Sequence, residues 1–293
     1  MKKFILLQSN KFILILLMNF SLVKGFTPII QLPFDNSLAF LNFIKKYLPE
    51  NPIIIEAGAC EGNDTILMAK IWQNSTIHTF EPVPKLYAEL RNKVYPAYAK
   101  ASADSPAIYC TDKILGASAP EKIFTYNLAL SDKTEVTKMY ISKNKKHSEE
   151  FSGSSSLLKP KFHLICHPNI TFEEEILVQA ITLNEWANQN KIEKVDLLWL
   201  DIQGKELPVL KHAQNILKNL KVLVIEVEMI DLYEKQNLFI ETKEWIEKNG
   251  FTLVACDFIN RLCYSGNAVF VKRENNDKNF AQPDINFNKI ICK

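Results

Sequence analysis

After residue 50 the chain alternates short apolar runs with longer stretches whose apolar residues recur at helical spacing, and this alternation restricts the possible folds more than any other feature. The runs that read as strands fall at 53–55, 76–80, 124–130, 136–142, 175–181, 196–201, 221–226, 251–257 and 267–272. Helical spacing marks 35–47, 63–72, 85–94, 183–188, 205–220 and 239–249. Strands such as DLLWLD (196–201) and KVLVIE (221–226) are strongly apolar, as expected in a parallel sheet covered on both faces by the helices between its strands. The last two strands have no helix between them, so they must form an antiparallel hairpin at one edge. Pro49 and Pro52 end the first helix, Asn63 is the expected cap of the second, and Gly250 stops the last. The expected class is α/β, a mostly parallel sheet with an antiparallel edge hairpin.

In such sheets ligands gather at the carboxyl ends of the strands, near the point where strand order reverses. The first strand runs into IIIEAGACEGNDT (53–65), which holds two of the chain's 8 glycines. Glycine permits a turn with positive φ and lets a ligand approach without a Cβ in the way. The helix that follows offers unpaired N–H groups. A dinucleotide fingerprint is G-x-G-x-x-G, because pyrophosphate packs against the loop. Here the spacing is Gly58-x-x-x-Gly62, with Glu56 two residues ahead of Gly58. An acid there repels pyrophosphate and suits a cationic ligand; S-adenosylmethionine carries an ammonium and a sulfonium and no phosphate. The second strand ends in Thr79-Phe80-Glu81-Pro82. A carboxylate at the position of Glu81 can accept both hydroxyls of an adenosine ribose, although enzymes that bind NAD use the same place.

The whole chain sets wider bounds. Its 293 residues make one large domain or two small ones, and a hydrophobic fraction of 47% fills a complete core. The charge balance, 35 Lys+Arg against 33 Asp+Glu, leaves no footprint for nucleic acid. KNKK at 143–146 reads as a solvated loop. The six cysteines are scattered without CxxC spacing, which speaks for free thiols rather than a zinc site or a disulfide framework. Residues 1–25, MKKFILLQSNKFILILLMNFSLVKG, combine early lysines with an interrupted apolar run, the pattern of a secretory signal or a short membrane anchor. The expected organisation is this segment, a helical lead-in over 26–49, the main domain over 50–272 and a polar tail over 273–293. Within the main domain, 96–122 reads as an irregular insertion and 143–172 as a substrate loop.

Six motifs in order carry a resemblance: EAGACEG (56–62), TFEP (79–82), NLALSD (127–132), GSSSL (153–157), ITLNEW (181–186) and DLLWLDIQGKELPVL (196–210). Together they resemble the FkbM methyltransferases over about residues 50–272. The resemblance implies a Rossmann-like, seven-stranded sheet and S-adenosylmethionine as cofactor. It implies that Glu56, Gly58, Ala59, Gly62, Asn63, Glu81 and Pro82 hold the cofactor. Asn127, Ala129 and Leu130 would line its adenine pocket, Ser154, Ser155 and Ser156 would sit near its methionine end or the substrate, and Asp201 would lie beside the reacting methyl. Two positions depart from the family pattern: Glu56 stands where Asp is usual, and Gln203 where Glu is frequent. The second change leaves an amide and no carboxylate at 203.

Methyl transfer to a hydroxyl needs alignment and benefits from a base within hydrogen-bond reach. Asp201, at the end of a buried strand, is the first candidate base, with capping of the next helix as its alternative role. His163 is a second candidate base, and the His163–Cys166–His167 cluster lacks the partner cluster a metal site needs. Asp201 with Glu226 or Glu228 has the donor chemistry for Mg²⁺; a pair of acids solvated or ion-paired at a cleft is the plainer reading, and no metal is expected. The four tryptophans read as core, Gly204 as a turn residue and Pro208 as part of a helix's first turn. The function expected is O-methylation of a hydroxyl on a sugar, glycolipid or other small molecule. The alternatives are a non-catalytic exported protein of the same fold and an NAD-dependent oxidoreductase. The partners expected are a small-molecule or glycan acceptor, no nucleic acid, and a membrane met through residues 1–25.

Overall fold

A computed structural model describes residues 29–95, 122–146, 153–258 and 264–273. The signal-like segment 1–25, nearly all of the insertion 96–122, part of the loop 143–172 and nearly all of the polar tail 273–293 lie outside the described residues. The elements in order are β1 (Ile30–Gln31), α1 (Ser37–Ile44), β2 (Ile53–Ala57), α2 (Asn63–Ile71), β3 (Thr76–Phe80), α3 (Pro84–Val94), β4 (Ile123–Tyr126), β5 (Ala129–Leu130), β6 (Glu135–Asn144), α4 (His163–Cys166), β7 (Ile170–Ile181), α5 (Leu183–Asn190), β8 (Leu197–Leu200), α6 (Glu206–Lys211), α7 (Gln214–Asn219), β9 (Val222–Glu228), α8 (Phe239–Lys248), β10 (Phe251–Cys256) and β11 (Ser265–Lys272).

The main sheet has the order β1-β10-β11-β9-β8-β2-β3-β4. Seven of its strands make the expected Rossmann-like frame, and two-residue β1 extends it beyond β10 in parallel. The order reverses between β2 and β8, which pair in parallel with Ala57 opposite Leu200. The closing hairpin is antiparallel, and its second strand, β11, turns inward to lie between β10 and β9. The alternation of side chains along each strand explains how both faces are filled. Ile54, Leu197, Trp199, Val222 and Val224 join the core cluster that includes Phe40, Leu41 and Ile44 of α1 and Met68 of α2. Ile55, Leu198, Leu200, Leu223 and Ile225, one residue along in each strand, join the opposite cluster with Trp186, Leu210, Ile216 and Phe239. Trp72, Trp186 and Trp199 are buried as expected.

Three expectations need correction. The run 124–130 is not one strand: β4 joins the main sheet, while β5 pairs with β7 in a separate three-stranded sheet of order β5-β7-β6. Asn127 breaks the run by donating its side-chain amide to the carbonyls of Glu81 (2.9 Å) and Pro82 (3.1 Å). The helix over 205–220 is two short helices, α6 and α7, separated at His212 and Ala213. Asn63 does not cap α2; the cap is Gly62, at φ 82°, and Asn63 is the first helical residue, its side chain accepting from Lys93 at 2.7 Å. A left-handed cap favours glycine, which is why the cap falls one residue earlier.

Candidate active site

The turn after β2 is built by positive-φ residues: Gly58 at 84°, Cys60 at 50° and Gly62 at 82°. The N–H groups of Gly58 and Ala59 both donate to Phe80 O at 3.1 Å, which ties the turn to the end of β3. A Cβ on Gly58 would lie 1.7 Å from the carbonyl oxygen of Asp201. The glycine therefore lets the turn cross directly over the end of β8. Glu81 closes the same corner: its carboxylate accepts the N–H of Cys60 at 2.9 Å and of Val83 at 2.8 Å. An ionised carboxylate offers about four lone-pair sites, so acceptor capacity remains. Burial is the main cause that pushes the Glu81 carboxyl up to about 7, against the two N–H donors that pull it down.

These elements border a cleft at the carboxyl ends of the strands. It brings together Gly58, Glu81, Pro82, Ala129, Leu130, Ser155 and Asp201 of the expected residues, with Cys60, Leu86, Met139 and Gln203 beside them. Glu56, Ala59, Gly62, Asn63 and Asn127 do not line it. Glu56 sits beneath the turn, where its carboxylate accepts the hydroxyls of Thr65 and of Thr79, the latter at 2.9 Å. Desolvation raises its carboxyl to about 7. It braces the turn from below instead of facing the cleft.

The serines of GSSSL latch the opposite wall. Ser155 Oγ lies 3.0 Å from the N–H of Ser142, which donates to it, and Ser156 Oγ donates to Gln203 O at 2.7 Å. Gln203, at φ 54°, is the hub of the floor. Its Nε2 donates to Asp201 Oδ1 at 2.8 Å and to a carboxylate oxygen of Glu226. The hydroxyl of Tyr233 donates towards Gln203 Oε1 at 2.7 Å and Ser154 O at 2.8 Å. Glu206 accepts the N–H groups of Ile202 (2.8 Å) and Gly204 (2.9 Å) and so fixes the turn between β8 and α6; burial pushes its carboxyl to about 8. Burial also raises Asp201, and burial with the charge of Asp201 raises Glu226.

His163 stands apart. It is buried against Tyr233 and His167, with ring centroids 5.4 and 4.5 Å away, and it does not line the cleft. Burial holds its imidazole down at about 4. Among the described residues no group of three or more His, Cys, Asp or Glu has the arrangement to hold a metal ion. Sequence reasoning missed Tyr233, Cys60 and Met139. Cys60 lies inside a motif already singled out. Met139 lies on the strand expected over 136–142, and its inward-facing side could have been read from the alternation there; Tyr233 reaches the site from 30 residues beyond Gln203, and nothing local marks it.

The model of the Methyltransferase FkbM domain matches residues 56–253. The chain is 23% identical over 186 residues to 2-O-methyltransferase NoeI of Sinorhizobium fredii, covering 64% of this chain and 67% of that protein. It is 24% identical over 220 residues to Methyltransferase sdnD of Sordaria araneosa, covering 70% and 76%. A crystal structure of Methyltransferase FkbM from Methylobacillus flagellatus aligns with a TM-score of 0.47 and 12% identity over 83% of this chain, which spans about half (48%) of that chain's length. The glycine turn, Glu81 and the Asp201 strand end all fall within the matched span, and the chain belongs to the FkbM methyltransferase family.

Proposed function

We propose that this S-adenosylmethionine-dependent methyltransferase methylates a hydroxyl of a sugar, glycolipid or other small molecule. The observation that carries the reading is the convergence, in one cleft, of Gly58, Glu81 and Asp201. The cofactor fits the residues present. Gly58 leaves the turn without a Cβ at its crossing with β8. Glu81 keeps spare lone pairs for ribose hydroxyls. Ala129, Leu130, Leu86 and Met139 give an apolar wall suited to an adenine. The turn carries Gly58-x-x-x-Gly62 and not the G-x-G-x-x-G spacing of a pyrophosphate loop.

When bound, S-adenosylmethionine supplies an electrophilic methyl on a sulfonium. Asp201 is the candidate base at the cleft floor: it is oriented by the Gln203 amide, and its raised affinity for a proton suits it to accept one from a hydroxyl. The walls from β5, the 153–157 loop and the turn after β8 orient the acceptor and limit water. The similarity to NoeI, a 2-O-methyltransferase, supports an oxygen acceptor. For residues 1–25 the reading is export or attachment to a membrane face, and mass-spectrometric determination of the mature N-terminus tests it.

Calorimetric titration with S-adenosylmethionine and with NAD, followed by a panel of hydroxylated sugars and glycolipids, tests the whole reading. Binding of S-adenosylmethionine and formation of a methyl ether are expected. Binding of NAD without response to S-adenosylmethionine overturns it.

A further inference from the structure

We propose that Tyr233 is a positioning residue for methyl transfer: its hydroxyl holds the Gln203 side chain, and through it Asp201, in the working arrangement. The inference rests on the methyl-transfer reading with Asp201 as base and deepens it.

Tyr233 does not line the cleft, so its effect on the reaction passes through the groups it holds. Its own place is fixed. The side chain is fully buried, at 0% exposure, and its ring packs against His163 and Phe172, with centroids 5.4 and 6.3 Å away. Its backbone N–H donates to Gln236 Oε1 at 2.6 Å. The hydroxyl is the polar tip of this anchored, otherwise apolar body, and it is aimed at the cleft floor. Burial, and then the charge of Glu226, push the phenol well above its ordinary value, so the proton stays on the oxygen.

That proton meets two oxygens that can only accept, Gln203 Oε1 at 2.7 Å and Ser154 O at 2.8 Å. At the far end of the amide both N–H groups are in use, one towards Asp201 Oδ1 at 2.8 Å and one towards Glu226. Inverting the amide would set its oxygen against the oxygens of two carboxyls. The backbone around it is pinned as well. Ser156 Oγ donates to Gln203 O at 2.7 Å, and Glu206 accepts the N–H groups of Ile202 and Gly204 on either side. What is left is the swing of the side chain, and the Tyr233 hydroxyl stops it. With phenylalanine at 233, Oε1 would face a ring edge. The amide would then gain by swinging towards the cleft, where water can serve it, and would take its N–H groups away from Asp201. A base moved off line loses rate even when every reacting group is still present.

Tyr233→Phe removes the oxygen and keeps the ring, and it is read in two ways. The first needs neither cofactor nor acceptor. In ¹⁵N–¹H spectra of the full chain the Gln203 side-chain amide pair is identified by its loss in Gln203→Met. In Tyr233→Phe the exchange of this pair with water is expected to rise at least about tenfold, while the backbone amides of β8 and β9 exchange as before. The second is steady-state methyl transfer to the member of the panel of hydroxylated sugars and glycolipids that the wild type methylates. The expected result is a kcat lowered at least about tenfold, with the acceptor KM and the affinity for S-adenosylhomocysteine nearly unchanged. Placed in Gln203→Met, Tyr233→Phe is expected to lower kcat by less than about twofold further, because the tie it cuts is already gone. Unchanged amide exchange overturns the inference, as does exchange raised throughout β8 and β9, which marks lost stability alone. A raised KM with kcat held assigns Tyr233 to the 153–157 loop through Ser154 and overturns it too, and so does an equal loss of kcat in both backgrounds. A wild type that binds no S-adenosylhomocysteine, or methylates nothing in the panel, overturns the methyltransferase reading instead, and the amide exchange still tells whether Tyr233 holds Gln203.

Discussion

Glu81 accepts the backbone N–H of Cys60 at 2.9 Å, so the last residue of one strand corner holds the glycine turn of its neighbour. The same carboxylate also takes the N–H of Val83 and borders the cleft. It both shapes the turn and faces the ligand. Glu81→Gln removes the charge and one acceptor oxygen. Hydrogen bonds to a charged group contribute about 1.5–3 kcal/mol each, so the dissociation constant for S-adenosylmethionine is expected to rise by about 10- to 100-fold. Calorimetry measures it; a change below about threefold rules out a ribose-binding role.

The two glycines of the turn differ in what surrounds them. An alanine Cβ at 58 meets the backbone oxygen of Asp201 at 1.7 Å, whereas at 62 the nearest atom is the end of the flexible Leu90 side chain, at 2.4 Å. Both residues have positive φ, so both substitutions carry a cost of about 1 kcal/mol or more in backbone strain. Gly58→Ala in addition pushes the turn away from β8. It is expected to yield little folded protein, while Gly62→Ala folds with a melting temperature lowered by several degrees. Circular dichroism melts decide the order, and equal stability of the two variants contradicts the crossing described here.

Burial raises Glu56 and Glu81 to about 7 and Glu206 to about 8, above an unfolded value near 4.5. Between those values the folded chain keeps protons that the unfolded chain releases. Stability from these groups is therefore complete below about pH 4.5 and is lost as pH rises through 7 to 8. Raising Glu56 or Glu81 from 4.5 to about 7 corresponds to roughly 3 kcal/mol each. The cofactor-free protein is expected to melt at a lower temperature at pH 8 than at pH 5.5, and Glu56→Gln is expected to flatten that slope. Identical slopes in the two proteins argue against a protonated Glu56.

Asp201 and His163 separate the two candidate bases. Asp201→Asn keeps Oδ1 for the Gln203 amide, so the floor retains its shape. Loss of a general base costs about 10²- to 10⁴-fold in rate. Methyl transfer across an acceptor panel is expected to fall by at least about 100-fold while cofactor affinity stays within a few-fold. His163→Gln, changed outside the cleft lining, is expected to retain the rate and lose only stability. The reverse pattern assigns the chemistry to His163.

Local patterns made the strands, the parallel arrangement and the glycine turn legible. Apolar runs such as LLWL have one structural solution when helices flank them, and Gly58 announces a turn wherever it falls. The separate sheet was not legible. Nothing in FTYNLAL says that Asn127 will spend its amide on the carbonyls of Glu81 and Pro82 and send Ala129 to pair with Ala180. Glu56 illustrates the limit at the site. Its place in the motif was visible, but the direction of its side chain depends on Thr65 and Thr79, 9 and 23 residues away. Tyr233 reaches Gln203 from 30 residues downstream, a distance over which no periodicity carries.

The Gln203 amide gives a last test of how the cleft floor is held. Its two N–H groups are divided between Asp201 and Glu226, and its oxygen takes the Tyr233 hydroxyl. Gln203→Glu keeps the acceptor for Tyr233 but replaces both donors by a third carboxyl facing two others. Like charges in a buried site either repel or bind a proton. Gln203→Met removes the amide without adding charge. At pH 8 the Glu variant is therefore expected to be the less stable of the two, because both lose the donors and only the Glu variant adds a like charge. Lowering the pH to 5.5 protonates the group and lets it donate again, so the Glu variant is expected to recover towards the wild type while the Met variant does not. Thermal melts of the three proteins at both pH values read this directly. A Glu variant as stable as the wild type at pH 8 means that the amide's two donors do not hold Asp201 and Glu226 together.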